Sequence, residues 1–185
     1  MLATNNTALF TDNISSRYRA SSNVYSYGNY YNWYSATAGH GKYGSDYGQG
    51  YEAPGDICPA GWHLPKGGDK SQESTNEFWQ LIVTGLNGGT NPANYDSSNY
   101  PKYTGITEGT PISNALRSYP NNFVYSGYVI DSSVSVRNSE GHYWSSSARS
   151  GTIAYHLILR SSLVSPGTGS SYRSYGWMVR CVAGS

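Results

Sequence analysis

"IAYHLILRSS", residues 153–162, decides how the rest of the chain is read. It is built from aliphatic, aromatic and β-branched side chains and holds no glycine or proline, so it favours a strand. Successive side chains of a strand point to opposite faces. Tyr155, Leu157 and Leu159 therefore share one face, and His156, Ile158 and Arg160 share the other. This alternation predicts a sheet with one apolar face turned inward and one polar face turned out. Its neighbours are similar. "NFVYSGYVIDSSVSVRN" (122–138), "GHYWSSSA" (141–148) and "YGWMVRCVA" (175–183) are short, aromatic or β-branched runs bounded by Gly, Ser or Asn.

Upstream the pattern changes. In "STNEFWQLIVTGLNGG" (74–89), Ser74 and Glu77 stand three apart like a capping box. Phe78, Leu81 and Ile82 form an apolar stripe, and Gly85 or Gly88 closes the run. "TPISNALRSYP" (110–120) predicts a second, shorter helix, with Thr110 as cap, Pro111 in its first position and Pro120 beyond its end. Between them "NGGTNPANYDSSNYPKYTG" (87–105) reads as an irregular excursion. "YSYGNYYNWYSATAG" (25–39) suggests a strand beginning near Tyr30, and "HGKYGSDYGQGYEAPGD" (40–56) a glycine-dense loop. "ICPAGWHLP" (57–65) reads as a short buried strand ended by Pro65. Strand, helix, helix and then several strands define an α+β domain. Residues 1–24 are expected to form an arm on the body, and residues 25–185 the domain itself.

Composition bounds the function. The 185 residues carry a formal net charge of +1 and only 12% charged side chains, which excludes a basic nucleic-acid footprint. Tyr (19) and Gly (22) are abundant alongside Ser and Asn, a mixture suited both to turns and to contact surfaces. No apolar run approaches a membrane span, so no membrane insertion is expected. The opening "MLATNNTALFTDN" lacks the basic and long apolar regions of a signal peptide. Cys58 and Cys181 are too few for a zinc site, which leaves one bridge or two quiet thiols. His40, His63, His142 and His156 are scattered, so no metal and no cofactor is expected.

"YNWYSATAG", "GDICPAGWHLP", "FWQLI", "SEGHYWSSS", "AYHL" and "YGWMVRCV" occur in this order. Together they resemble the Fibrobacter succinogenes major paralogous domain family, from about Tyr30 to Val182. The resemblance implies a C-type lectin-like fold: two helices, small antiparallel sheets, long loops, and N- and C-termini near one sheet. The "HLP…FW" piece also looks like a signature of formylglycine-generating-enzyme-like proteins, although "KGGDKSQEST" is inserted before the helix. The calcium motifs of sugar-binding C-type lectins do not occur.

Members of this family are common targets of diversity-generating retroelements, which randomise adenines in Asn codons near the C-terminus. Such substitution cannot produce Lys, Glu, Gln, Met or Trp, and residues 145–176 contain none of these. The resemblance thus implies a variable region at about 145–176. Its displayed, ligand-binding positions would be Ser147, Arg149, Ser150, Thr152, His156, Ile158, Arg160, Leu163, Ser165, Thr168, Ser170, Ser171, Arg173 and Ser174, with Tyr172 and Tyr175 beside them. The frame would rest on Trp33, Trp62, Phe78, Trp79, Leu81, Trp144, Leu157, Trp177 and Val179. The implied function is a non-enzymatic display protein that recognises a protein or glycan on another cell or virus, on a virion or cell surface. The alternatives are an oxidase of the formylglycine-generating type, or an invariant surface adhesion domain. C-type lectin domains commonly bridge places similar to Cys58 and Cys181, while a reducing compartment would leave buried thiols; both readings stand.

Overall fold

The computed structural model describes residues 29–40, 51–131 and 133–184, so the expected N-terminal arm and part of the glycine-dense loop lie outside the described residues. The architecture is mixed α+β, with short helices and small antiparallel sheets. The first described stretch differs from the expected strand. Tyr31 makes a single antiparallel bridge to Trp177, and the chain then turns into α1, Trp33–Ala36. The cause is local. The Asn32 side chain accepts the Ser35 N–H at 2.8 Å, which caps a helical turn.

β1, Trp62–His63, is shorter than expected, and Trp62 is 52% exposed rather than part of the core. α2, Glu77–Gln80, continues through a π-helical turn, Leu81–Gly85. Its cap is Asn76, not Ser74: Asn76 Oδ1 accepts the Trp79 N–H at 3.0 Å. Asn76 Nδ2 donates to Pro166 O at 2.8 Å, so both ends of this buried amide are used. The expected excursion contains a small hairpin, β2 (Tyr95–Asp96) and β3 (Lys102–Tyr103). α3, Pro111–Arg117, follows with Thr110 as cap and Pro111 in its first turn, as the sequence predicts.

The remaining strands are β4 (Tyr128–Ile130), β5 (Ser133–Ser135), β6 (Glu140–Ala148), β7 (Ile153–Arg160), β8 (Val164–Tyr172) and β9 (Val182–Ala183). The largest sheet has the order β2-β3-β8-β7-β6, while β4 pairs with β5 and β1 with β9. β8 is therefore an interior strand, despite Pro166, Gly167 and Gly169. Its register explains them. His156 faces Gly169 and Ile158 faces Ser165, so β8 inserts extra residues against β7 and bulges where Pro166 and Gly167 sit. Gly167 has φ +74°, and a Cβ there would lie 2.8 Å from Asn76 Oδ1 and 2.9 Å from the Phe78 ring.

Both faces of this sheet are covered. On one, Tyr143, Leu157, Leu159 and Val164 pack with Phe78, Ile82, Ile106, Leu116 and Phe123; Trp79 and Leu81 adjoin this core partly buried. On the other, Trp144, Ala148 and Ala154 pack with Trp33, Leu64 and Trp177, and Val179 adjoins. Cys58 and Cys181 form a disulfide, with Cα atoms 5.8 Å apart, across a sequence separation of 123. It ties the segment before β1 to the segment before β9.

Candidate functional site

One group of the sequence-predicted positions gathers at one end of the sheet. Arg149, Ser150 and Thr152 lie on the β6–β7 turn, while Ser170, Ser171, Tyr172, Ser174 and Tyr175 end β8 and follow it. The register brings them together, since Ile153 faces Tyr172 and Tyr155 faces Ser170. Arg149 Nη1 donates to Ser170 Oγ at 2.7 Å, and its guanidinium lies 4.2 Å from the centre of the Tyr100 ring. Tyr172 is 55% exposed and meets Tyr175 edge to face at 5.6 Å. Tyr100, 37% exposed, was not among the expected positions. It belongs to the excursion, and nothing in its pattern places it beside β8.

A second group lies elsewhere. Ile158 and Arg160 end β7 and Leu163 sits in the next turn, about 20 Å along the strand from Ile153. All three are half-buried, and Arg160 Nε pairs with Glu140 at 3.1 Å. The expected continuous patch is split in two.

The third group is not displayed at all. Ser147, His156, Ser165, Thr168 and Arg173 are buried. For the four that lie in β6, β7 and β8 the reason is that both faces of the sheet are covered, so alternation does not separate interior from solvent. Ser147 Oγ donates to Glu52 at 2.7 Å and accepts the Gly67 N–H at 2.8 Å, tying two loops to β6. Thr168 Oγ1 donates to Pro101 O, and Ser165 faces Ile158 inside the sheet. The Arg173 guanidinium lies 4.3 Å from the Trp33 ring centre, and its Nη2 donates to Ser150 O. Its backbone N–H donates to Thr152 O at 2.9 Å. Arg173 thus holds the turn that carries Arg149, Ser150 and Thr152.

His156 is sealed in an aromatic column. Its ring centre lies 3.6 Å from Trp177 and 5.5 Å from His142, and Trp177 stacks on Trp144 at 4.1 Å. Burial holds the His156 imidazole well below its ordinary pKa, and His142 and Arg160 add to the effect. Burial lowers His142 likewise, although Glu140 partly opposes this through a 3.0 Å hydrogen bond. Neither Nδ1 has a hydrogen-bond partner among the described residues. Both imidazoles are neutral parts of the frame.

Other surfaces are already satisfied internally. A groove of 590 Å³ lies between α3 and the Phe123–Tyr125 segment. Its Arg117 is paired with Glu108 at 2.5 Å and stacked over Tyr125 at 4.1 Å, and its Asn114 donates to Gly109 O at 3.2 Å. His63 pairs with Glu77 at 2.8 Å. Among the described residues no three His, Cys, Asp or Glu side chains converge as metal ligands, and no helix is long and apolar enough to cross a membrane. No known protein family, curated protein or solved structure matches this chain.

Proposed function

We propose that the chain is a ligand-binding module of the C-type lectin-like class, without chemistry of its own. Its contact surface is the rim of Tyr100, Arg149, Ser150, Thr152, Ser170, Ser171, Tyr172, Ser174 and Tyr175. The observation that carries this reading is the contrast along β6, β7 and β8. Below the rim, Ser147, His156, Thr168 and Arg173 are buried against the frame. At the rim, exposed or half-buried tyrosines and hydroxyls surround a stacked arginine. Tyrosine and arginine supply large contact energies, and serine and threonine adapt to varied partners.

Diversification by a retroelement fits this division once its displayed set is narrowed to the rim. The five buried positions then belong to the frame. The partner is a protein or glycan presented on another cell or virus. The oxidase alternative requires a metal or a reactive thiol; the chain's two cysteines are bonded to each other, and no three His, Cys, Asp or Glu side chains converge among the described residues. The test is a library randomised at Ser150, Thr152, Ser171, Tyr172 and Ser174, compared with one randomised at His156, Thr168 and Arg173. The rim library is expected to stay folded, with most members within about 0.5 kcal/mol of the parent, and to yield binders to varied targets. Equal losses of folding in both libraries would refute the proposal. In the genome, a near-identical repeat differing at adenines, beside a reverse transcriptase gene, is the expected signature of the diversification.

A further inference from the structure

The chemistry of the rim narrows the ligand, an inference that rests on the binding-module reading above. Arg149 is a half-buried cation without a carboxylate partner among the described residues. Ser170 Oγ and the Tyr100 ring are its side-chain partners among the described residues, and its remaining nitrogens are not sealed from solvent. Residues 141–184 contain no Asp, Glu or Lys. The acids of neighbouring elements are engaged: Asp96 with Lys102 at 3.5 Å, and Glu52 with the hydroxyls of Ser146 and Ser147 at 2.7 Å each. Among the described residues Arg117 pairs with Glu108 and Arg160 with Glu140, whereas Arg180 donates to the neutral Pro120 O. Of Arg149 and Arg180, Arg149 lies at the rim and keeps donors there for an outside anion.

A guanidinium presents a planar fork that matches the paired oxygens of a carboxylate, and stacking on Tyr100 fixes the plane of that fork. Ser150, Thr152 and Ser171 add hydroxyls that both donate and accept, and Tyr172 offers an exposed ring. Among the described residues no exposed aliphatic side chain accompanies them. The large exposed apolar side chains among the described residues are Trp62, Tyr119, Val134 and Val136, besides Tyr100 and Tyr172 themselves. Hydroxyls, an aromatic face and one unspent cation suit a polyhydroxylated ring better than the dry core of a protein interface. We infer that the rim binds an acidic sugar, with its carboxylate on Arg149 and its ring against Tyr172.

The test is a titration of the full chain, followed by amide NMR shifts, with sialyllactose, lactose and a hexaglutamate peptide. Sialyllactose is expected to bind at least about tenfold more tightly than lactose, the size of one charge-assisted hydrogen bond. Arg149→Gln should reduce sialyllactose to the level of lactose, Arg149→Lys should recover only part of the loss, and Arg117→Gln should change nothing. Equal binding of the two sugars, or indifference to Arg149→Gln, would overturn the inference. Preferential binding of hexaglutamate would also overturn it, while leaving the rim a binding surface for protein acids. A rim library that yields binders although no probe binds defeats the sugar inference alone; a rim library that yields none defeats the reading beneath it.

Discussion

His156 and Arg173 look like surface residues in the sequence and are interior ones in the fold. The consequence for His156 is a stability that depends on pH. Its folded pKa, and that of His142, lie below the ordinary 6.5, because charging either imidazole would place a cation among buried aromatic rings. The unfolded chain therefore binds more protons than the folded one once pH drops below about 6.5. The stability from neutral burial is complete above that value and is lost as pH falls through it toward the folded pKa. Urea unfolding should show a level free energy from pH 8 to 7 and a loss of about 1–2 kcal/mol between pH 6 and 5. His156→Gln should flatten that slope by roughly half relative to the parent. Glu140 acts in a lower window. A hydrogen bond from His142 lowers its pKa below the ordinary 4.5, and Arg160 assists, so its contribution disappears only as pH falls past that range. For Arg173, replacement by Ala removes the guanidinium from Trp33 and from Ser150 O. Amide exchange in the 149–152 turn is expected to accelerate at least about tenfold, and Arg173→Lys should restore little of it, because an ammonium lacks the planar fork. Unchanged exchange in that turn would show that Arg173 does not hold it.

α2 and β8 depend on each other through one amide. Asn76 caps the helix with its oxygen and grips Pro166 O with its nitrogen, and the glycine after Pro166 leaves room for it. Asn76→Ala is expected to cost about 2–3 kcal/mol, a lost cap plus a buried carbonyl left without its donor. Ser74→Ala should change stability by less than about 0.5 kcal/mol, since Ser74 is exposed and caps nothing. Chemical denaturation of both variants checks the pair, and similar losses would restore Ser74 as the cap. In the sequence, the spacing to Glu77 points to Ser74 as the cap. Only the proximity of Pro166, 90 positions further on, selects Asn76. β8 shows the same limit. Its proline and glycines argue against a strand by propensity, but a bulge accommodates them between β3 and β7.

Across the molecule, the disulfide closes a long loop that contains α2, α3 and all five strands of the largest sheet. Its loss is expected to lower the unfolding free energy by up to about 5 kcal/mol in the chain-entropy picture. Cys58→Ser with Cys181→Ser, compared with the parent under non-reducing conditions, measures it by calorimetry. A double variant with unchanged melting would show that packing of the two cores alone closes the loop. In the proposed reading the rim can be exchanged without loss of the fold because, Tyr175 apart, its side chains do not pack in the two cores. Trp33 and Trp144 use their indole N–H groups on Ser145 O and Tyr31 O, each at 2.7 Å, so the frame is fixed by bonds that no rim side chain enters.

The class of the fold, the cap and proline start of α3, the strands β6 and β7, and the frame tryptophans 33, 144 and 177 were legible in the sequence. Each rests on local pattern: periodicity, a capping residue, or clustered aromatic residues, although Trp33 lies in α1 rather than in the expected strand. Tertiary structure alone decided that both faces of β7 are covered, that the cysteines meet, that Tyr100 joins the rim, and that Arg173 lies beneath it. The physical reason is that alternation assigns a side chain to a face of a sheet. What packs against that face comes from segments tens of residues away, and no local pattern records their approach.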